Sequence, residues 1–338
     1  MLSARREKGV FMGGTVQCTL CPRHCRLQEG ARGNCRVRIN RDGRLVSLVY
    51  GKAVAVHIDP VEKKPLHHFM PATSTFSLAT AGCNLHCAHC QNWQISQTDP
   101  EDASAEDMPP DLVVATARKY SCQSISCTYT EPIIFYEYAV DIGKKARAAG
   151  LKTIWVTAGY IEQTPLKDAC PFIDAANVDL KAFSDDFYKR VCGGATLKPV
   201  LETLETMNKN GVMVEITNLV IPGENDDMGM IADMCEWIVS KLGPTTPLHF
   251  SRFHPTYRMT QRPPTPPATL RKAADVAVKA GLKHVYLGNV DGGDFEHTWC
   301  PACRKKLIER RGFEVISNHV GGDGKCDFCG QAIRGIWR

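Results

Sequence analysis

The sequence predicts an α/β protein whose centre is a partial, open, six-stranded TIM-like barrel, with a cysteine-rich metal module at each end. Two observations predict this fold. After Ser74, short apolar runs rich in β-branched residues alternate with longer helical patterns, as is typical of parallel βα units. Eleven of the sixteen cysteines fall in three tight clusters, one near each end and one after the first predicted barrel strand.

Seven segments are predicted as strands, at 75–81, 123–129, 152–157, 175–180, 212–220, 246–252 and 283–287. Helical patterns fill most of the gaps. In the stretch 135–150, apolar residues recur at helical spacing and Gly150 is a natural C-terminal stop. Such a series of βα units fits either a partial barrel or an open doubly wound sheet, and periodicity does not separate the two.

Polar residues recur where the predicted strands end. In a barrel of parallel βα units, chemistry is expected at the C-terminal ends of the strands. Six strands carry polar residues at or near this end: Cys83, Thr130 and Glu131, Thr157, Asp179 and Lys181, Asn218, and His249. Their common position favours a barrel with a single site at its mouth.

Three domains are predicted: an N-terminal cysteine-rich module over 1–70, the partial barrel over 71–295 and a C-terminal zinc-ribbon-like module over 296–338. The segment 254–268 contains five prolines and predicts an extended loop before a helix. This loop and the two ends are free to border the barrel mouth, so His254, Tyr257 and Arg258 are candidate contacts for a substrate chain. The alternative is a solvated connector that the prolines hold extended.

Composition narrows the class of protein. Of 338 residues, 43% are hydrophobic and 23% are charged, which argues against a disordered, collagenous or coiled-coil chain. No run of 18 apolar residues occurs, and the first residues do not form a secretory signal. We therefore expect a cytoplasmic protein without a membrane partner. In a reducing compartment, clustered thiols more often hold metals than form disulfides.

The basic excess lies at the two ends of the chain. Residues 1–50 contain ten Lys and Arg against three Asp and Glu, and residues 301–338 contain eight against four. Nucleic-acid binding is one explanation. We favour neutralisation of metal-bound thiolates, because each end carries four clustered cysteines and few aromatic residues are interleaved with the charges.

The central triad, Cys83, Cys87 and Cys90, has the spacing C-x3-C-x2-C directly after a predicted strand. Three thiolates on one short loop can bind one 4Fe–4S cluster and leave one iron open for another ligand. The alternatives are a zinc knuckle or three ordinary cysteines. This spacing resembles the signature of the radical SAM superfamily, in which S-adenosylmethionine occupies the open iron.

The resemblance extends over nearly the full length. The chain resembles the radical SAM member of the AmmeMemoRadiSam system, a relative of pyruvate formate-lyase activating enzymes. The stretches that carry the resemblance are CTLCPRHC (18–25), DPVEKKPLHHF (59–69), GCNLHCAHCQNW (82–93), YTEPIIFYEY (129–138), VTAGY (156–160), DLKAF (179–183), PLHFSRFHP (247–255), YLGNV (286–290) and CPACRKKLIERRGF (300–313). YTEP corresponds to a GGEP-like motif of the superfamily but lacks its two glycines.

The resemblance implies a catalytic cluster on the central triad and a set of S-adenosylmethionine contacts. The implied contacts are His89, Thr130, Glu131, Thr157, Asp179, Lys181, Asn218 and His249. It also implies that a reduced 4Fe–4S cluster cleaves S-adenosylmethionine to a 5′-deoxyadenosyl radical, which abstracts hydrogen from a protein or peptide. A flavodoxin- or ferredoxin-type electron donor and Memo-type and AMMECR-type partner proteins are implied as well.

The two terminal clusters predict further metal sites. The C-terminal quartet, Cys300, Cys303, Cys326 and Cys329, has the C-x2-C…C-x2-C spacing of a zinc ribbon, although iron uses the same geometry. The N-terminal quartet, Cys18, Cys21, Cys25 and Cys35, fits zinc or a second iron–sulfur cluster, and His24 is a candidate replacement ligand. We favour zinc for both. The other five cysteines are predicted to be small buried hydrophobes.

Two other functions compete with a radical enzyme acting on protein. One keeps the chemistry but takes a nucleic acid or a small metabolite as substrate. The other is a non-catalytic zinc and iron–sulfur scaffold with a degenerate barrel. Formation of a brown chromophore and cleavage of S-adenosylmethionine under dithionite separate the enzyme from the scaffold.

Overall fold

The computed structural model describes residues 9–12 and 14–338. Short antiparallel strands form the N-terminal part: β1 (Gly9–Met12), β2 (Thr15–Cys18), β3 (Arg26–Leu27), β4 (Arg38–Arg41), β5 (Arg44–Ser47) and β6 (Lys52–Ala53). The first three strands pair in sequence, and β4 and β5 form a hairpin. The predicted cysteine module is thus built from turns and short ladders, which present cysteine side chains from several loops.

The next nine strands include the predicted barrel strands. They are β7 (Ala55–Pro60), β8 (Ser74–Ala79), β9 (Glu106–Asp107), β10 (Ser124–Cys127), β11 (Lys152–Thr157), β12 (Ala175–Asp179), β13 (Met213–Val220), β14 (Leu248–Arg252) and β15 (Val285–Gly288). All except β9, which pairs with β6, form one sheet in the order β15-β14-β13-β12-β11-β10-β8-β7.

The strand order decides between the two architectures that periodicity left open. From β8 to β15 the sheet strands are parallel, and each pairs with the next sheet strand along the chain. A doubly wound sheet reverses its order at a switch point, whereas this sheet does not. Since β7 and β15 are its edges, the sheet stays open. The predicted open α/β barrel is confirmed, with seven parallel strands rather than six because β15 adds to β14, and with an antiparallel strand, β7, beside β8.

Helices connect the parallel strands and cover the sheet. They are α1 (Trp93–Ser96), α2 (Pro110–Lys119), α3 (Tyr136–Ala148), α4 (Gln163–Ala169), α5 (Asp185–Val191), α6 (Lys198–Lys209), α7 (Met228–Leu242) and α8 (Pro267–Lys279). Helix α3 ends just before Gly150, whose φ of 76° suits a glycine. Helix α7 begins after Asp227, whose carboxylate accepts a hydrogen bond from the Met230 backbone N–H at 2.8 Å.

The main core lies around the sheet and its helices, where Phe76, Phe135 and Trp155 are buried. The five cysteines outside the three clusters are also buried, as predicted: Cys122, Cys127, Cys170, Cys192 and Cys235. Among the described helices, none is long and apolar enough to span a membrane.

The C-terminal part is a small antiparallel sheet of β16 (Thr298–Trp299), β17 (Lys306–Arg311) and β18 (Glu314–Asn318). The C-terminal part is attached to the barrel by partly buried polar contacts. The Arg310 guanidinium donates to the His67 carbonyl at 2.8 Å, and the Arg334 guanidinium donates to the Thr246 hydroxyl at 2.8 Å. The two boundaries between the three domains remain a prediction, although pairing of β7 with β8 ties residues 55–60 to the central sheet.

Candidate active site

A cavity of about 820 Å³ opens at the C-terminal ends of the parallel strands. Ten of the eleven residues predicted for the central site line it: Cys83, Cys87, His89, Cys90, Thr130, Glu131, Thr157, Asp179, Lys181 and His249. Strand register explains part of this convergence. Asp179 pairs with Thr217, and Thr217 pairs with His249, so these three residues lie side by side on neighbouring strands.

The central triad lies on the loop between β8 and α1. Gly82 begins this loop with a φ of 90°, a conformation that favours glycine. The Cys83 sulfur accepts from the Leu85 backbone N–H at 3.4 Å, and the Cys90 sulfur lies 3.2 Å from the Ser96 hydroxyl. These local contacts orient two of the three thiols while leaving them at the cavity wall.

The donor set fits a 4Fe–4S cluster. Among the described residues, the three sulfurs of the triad do not all lie within 4.8 Å of one another. They are therefore too far apart to bind a single zinc ion together. Within the described part of the chain, four buried polar atoms of the cavity lining also lack a hydrogen-bond partner: Glu62 Oε2, His67 Nδ1, His89 Nδ1 and Thr217 Oγ1. Three separated thiols beside unsatisfied polar atoms suit a sulfur-ligated cluster with a polar ligand on its open side.

Glu131 is the buried carboxylate of the cavity. Its oxygens accept hydrogen bonds from the Thr157 hydroxyl at 2.5 Å and from the Ala158 backbone N–H at 2.8 Å. Burial raises the pKa of Glu131 to about 7, although these donors favour the ionised form. The group can therefore become fully ionised when a cation binds beside it.

Asp179 and Lys181 form an ion pair at the end of β12, with 2.8 Å between the Asp179 carboxylate and the Lys181 ammonium. Burial opposes the charged form of Lys181, but the Asp179 carboxylate raises the pKa of the lysine well above its usual value. Lys181 thus stays charged inside the cavity and can meet a ligand carboxylate.

His89 and Thr130 occupy different walls of the cavity. Burial, together with the nearby Lys181 charge, lowers the pKa of His89 to about 3, so its imidazole is neutral. The His89 ring lies 6.1 Å from the ring of Phe187. The Thr130 hydroxyl donates to the Thr80 carbonyl at 2.9 Å, which leaves its oxygen lone pairs as the acceptors for a ligand.

His249 belongs to a buried network that the sequence did not reveal. Its Nε2 lies 2.7 Å from the Glu215 carboxylate, and its ring stacks on Tyr286 at 4.9 Å. The centroids of the His67 and His249 rings lie 4.7 Å apart in an edge-to-face arrangement, and the His67 backbone N–H donates to Glu215. The only sequence signal was the charged and histidine-rich stretch 59–69, which came from the resemblance and named no residue for the cavity.

Tyr129 is a second residue whose role the sequence did not reveal. It lines the cavity with a φ of 62°, which is unusual for a bulky side chain. Its phenol donates to the Asp59 carboxylate, which also pairs with Lys64 at 2.5 Å. The Tyr129 carbonyl accepts from the Asn92 side chain at 2.7 Å. The Tyr129 carbonyl therefore already accepts a hydrogen bond from the segment that follows the central triad.

Asn218 is the predicted contact that the structure does not place at the cavity. Side chains alternate along a strand, and on β13 it is Thr217 and Leu219 that face the cavity. The Asn218 amide donates instead to the Leu180 carbonyl at 2.8 Å and to the Lys181 carbonyl at 3.3 Å. Asn218 thus supports the end of β12 from behind.

The three candidate residues of the proline-rich loop lie outside the cavity lining. None of His254, Tyr257 and Arg258 lines the cavity. The Tyr257 ring instead stacks on Trp93 at 5.2 Å, and the Arg258 backbone N–H donates to the Ala88 carbonyl at 3.0 Å. The loop therefore supports the cysteine loop from outside, whereas the turn between β17 and β18 reaches the cavity through Gly312 and Phe313.

The C-terminal quartet converges as a metal site. All four sulfurs lie within 4.8 Å of one another, with Cys300 to Cys329 at 3.6 Å and Cys303 to Cys326 at 3.8 Å. This cysteine cluster can hold one metal ion. The N-terminal quartet instead surrounds a separate cavity of about 20 Å³. His24 pairs with Glu162 at 2.9 Å, and it is not among the residues that line that cavity.

Comparisons with known proteins agree with this site. A sequence model of the radical SAM superfamily matches residues 77–235. An uncharacterized protein of Methanocaldococcus jannaschii is 48% identical over 319 residues, which cover 94% of this chain and 95% of that protein. A radical SAM methyltransferase from Sphaerobacter thermophilus has a TM-score of 0.52 at 15% identity, covering 70% of this chain and 71% of that chain. Streptococcus suis SuiB bound to precursor peptide SuiA has a TM-score of 0.51 at 13% identity, covering 68% and 52%.

Proposed function

The chain is a radical SAM enzyme of the same family as the Methanocaldococcus jannaschii protein, and we propose that it abstracts a hydrogen atom from a protein or peptide. The observation that carries the proposal is that the three thiols of the central triad open into the same cavity as Glu131 and Lys181. When bound, the cluster and S-adenosylmethionine supply a carbon-centred radical. The scaffold alternative is set aside, because the chain is an enzyme.

The chain's own residues bind and orient the cosubstrate. Glu131 and the oxygen of Thr130 accept from its ammonium group, and Lys181 binds its carboxylate. Asp179 accepts from the ribose hydroxyls, and its partial exposure, 37% of the side chain, leaves it free to do so. His89 and His249 are the proposed contacts to the adenosyl half, and His249 is held in place by Glu215.

The lining of the cavity favours a peptide over a nucleic acid. Four carboxylates and three lysines line it, so the cavity lacks the excess of positive charge that phosphate backbones require. The exposed ring of Phe313 at the rim offers apolar contact to a chain entering from the open mouth. We extend the proposal to Memo-type and AMMECR-type proteins as partners, with a flavodoxin- or ferredoxin-type protein as electron donor.

The enzymatic part is tested by anaerobic reconstitution followed by dithionite and S-adenosylmethionine. Cys87→Ala should lose iron and form no 5′-deoxyadenosine, because two thiolates do not retain the cluster. Cys235→Ala is the matched control, since Cys235 is buried on α7. Full iron content and undiminished cleavage in Cys87→Ala would refute the assignment of the central triad.

The substrate is tested by isotope transfer. The enzyme is incubated with deuterated Memo-type protein, AMMECR-type protein, RNA or a metabolite pool, and deuterium is followed into 5′-deoxyadenosine. Transfer from a protein is expected. Transfer from RNA or from metabolites alone would replace this substrate class with another while leaving the radical chemistry in place.

For the C-terminal quartet we propose zinc. The 3.6 and 3.8 Å sulfur separations match the edge of a tetrahedron around an ion with bonds of about 2.3 Å. Such a site is structural when all four ligands come from the protein. Metal analysis of the purified chain tests it, and iron in place of zinc would identify a rubredoxin-like site.

A further inference from the structure

The N-terminal quartet lines a small cavity that a closed four-cysteine site around one metal ion would not leave. Its four thiols line a space of about 20 Å³ together with Asn84. A space that admits a water molecule has about 10–15 Å³ by the same measure. Four sulfurs bound to one zinc ion touch one another and leave no such space. The four sulfurs therefore border open space rather than closing on one point.

The distances between sulfurs lead to the same conclusion. In the C-terminal quartet the sulfurs all lie within 4.8 Å of one another. Over the described residues, no three sulfurs of the N-terminal quartet meet that limit, and neither does the central triad. The N-terminal quartet thus shares its wider spacing with the loop assigned to an iron–sulfur cluster. In such a cluster the thiolates bind several iron atoms, which spreads the sulfurs further apart than around one ion.

The surroundings of the N-terminal quartet also suit a cluster. The Asn34 backbone N–H donates to the Cys25 sulfur at 3.3 Å. A Cβ atom on Gly33 would lie 3.6 Å from the Cys35 sulfur and 3.7 Å from the Cys25 sulfur, so glycine keeps this side of the cavity open. Arg38, only 1% exposed, is ion-paired with Glu137 and also interacts electrostatically with Cys35, so a cationic group lies beside these sulfurs.

The N-terminal quartet lies directly against the central triad. A Cβ atom on Gly82, the residue before Cys83, would lie 2.6 Å from the Cys35 carbonyl oxygen. Asn84, the residue after Cys83, lines the N-terminal cavity, and its carbonyl accepts from Arg23 at 3.1 Å. Both chain neighbours of one central cysteine therefore contact the N-terminal module, which gives a short covalent and hydrogen-bonded path between the two sites.

We propose that the N-terminal quartet holds a second iron–sulfur cluster, which passes electrons to the cluster on the central triad. A reduced flavodoxin- or ferredoxin-type protein gives up one electron and is oxidised by one electron. The N-terminal cluster is reduced and then reoxidised as the same electron moves to the central cluster, and no bond forms or breaks. The proposal rests on the proposed function, because it assumes that the central triad binds the first cluster.

Charge at the surface of this module complements such a donor. Residues 18–45 contain seven arginines against two acidic residues. Arg26, Arg41 and Arg44 are exposed. An acidic electron-transfer protein would be attracted to this surface and oriented on it.

The metal content of the anaerobically reconstituted wild-type chain tests the cluster. We expect one zinc per chain, and iron and acid-labile sulfide for two clusters. The double variant Cys21→Ala with Cys35→Ala should lose about half of the iron and sulfide and no zinc. The triple variant Cys83→Ala, Cys87→Ala and Cys90→Ala should keep an iron–sulfur electron paramagnetic resonance signal. Two zinc ions per wild-type chain, with iron for one cluster, would overturn the proposal. This measurement uses the wild-type chain, so it decides the question even if a variant does not fold.

Reduction kinetics test the relay. For each reductant, the rate at which the central cluster is reduced in the Cys21→Ala, Cys35→Ala variant is divided by the rate in the wild type. This ratio should be about tenfold smaller for a reduced flavodoxin than for dithionite. Equal ratios for the two reductants would overturn the relay. A wild-type chain with two clusters that never cleaves S-adenosylmethionine would refute the proposed function and leave the second cluster established.

Discussion

Glu131→Gln separates the charge of the cavity carboxylate from its shape. Glu131 is 1% exposed, and its oxygens accept from the Thr157 hydroxyl and the Ala158 N–H. The substitution keeps the side-chain volume and one acceptor oxygen. It removes the negative charge and turns an amide NH2 group toward one of these donors.

The expected loss of affinity follows from the contact that is removed. A hydrogen bond to a charged group contributes about 1.5–3 kcal/mol, which corresponds to about a 10- to 150-fold rise in the Kd for S-adenosylmethionine. Stability should fall by about 1–3 kcal/mol, because one buried donor loses its acceptor. Binding is therefore compared at a temperature where both proteins remain folded.

The pH dependence provides a second readout. Burial raises the pKa of Glu131 to about 7, so the free carboxyl is neutral below that pH and ionised above it. Since the cosubstrate ammonium requires the carboxylate, wild-type affinity should fall as the pH decreases through about 7. The unbound fold shows the opposite trend. Its stability is fully present below the unfolded pKa and decreases as the pH rises toward 7, because the charged form is the one that burial disfavours.

The assay is equilibrium binding of S-adenosylmethionine to anaerobically reconstituted protein between pH 6 and pH 8.5. Glu202→Gln is the matched control, because Glu202 lies on the surface of α6 and pairs with Lys198. An unchanged Kd together with a pH profile equal to that of the wild type would show that Glu131 does not meet the ammonium group.

Three further predictions test the loop, the C-terminal module and the rim. Gly82→Ala should lower the free energy of unfolding by about 2–4 kcal/mol in urea titration, since its Cβ would lie 2.5 Å from Val37 Cγ1 and its φ is 90°. Gly211→Ala, with a φ of 79° and open space around it, should cost about 1–2 kcal/mol, and equal losses would refute the steric argument. Cys326→Ser should lose one metal ion and lower the melting temperature while the spectrum of the central cluster stays intact; loss of that spectrum would show that the module reaches the active site. Phe313→Ala should reduce product formation and leave uncoupled cleavage of S-adenosylmethionine unchanged. Equal product yields from variant and wild type would show that Phe313 does not contact the substrate. His254→Ala is the control, because His254 lies on a loop outside the cavity lining.

The parallel strands could be predicted from sequence because each is a local run of buried residues followed by a helical pattern. Strand β7 could not. Its residues, Ala55–Pro60, are mostly exposed or half-buried, and nothing within such a short segment identifies β8 as its partner. Pairing between distant segments depends on the assembled sheet, so the N-terminal boundary could not be located from local pattern.

The same distinction applies to the site. Strand ends predicted Glu131, Asp179 and Lys181, because the C-terminal ends of parallel strands meet in any barrel. A residue at a strand end reaches the cavity only if its side chain lies on the cavity side of the strand. Asn218 lies on the other side of β13. His67 comes from a segment before the first parallel strand, so no strand-end rule could find it. The sequence left the N-terminal quartet open between zinc and a second iron–sulfur cluster. Only the folded chain shows that, among the described residues, its sulfurs do not converge as those of the C-terminal quartet do.

Tyr129 shows how the chain compensates for the glycines missing from its YTEP motif. A φ of 62° costs a residue with a side chain about 1–3 kcal/mol. Here the side chain itself offsets that cost, because the phenol donates to Asp59 and the Lys64 ammonium lies 4.4 Å from the ring centroid. The Asn92 amide, two residues after Cys90, holds the Tyr129 carbonyl. A glycine would keep the backbone contact with Asn92 and would allow the same turn without a side-chain partner. The tyrosine side chain adds the contacts with Asp59 and Lys64, so the turn is tied to the segment before β8 as well as to the cysteine loop.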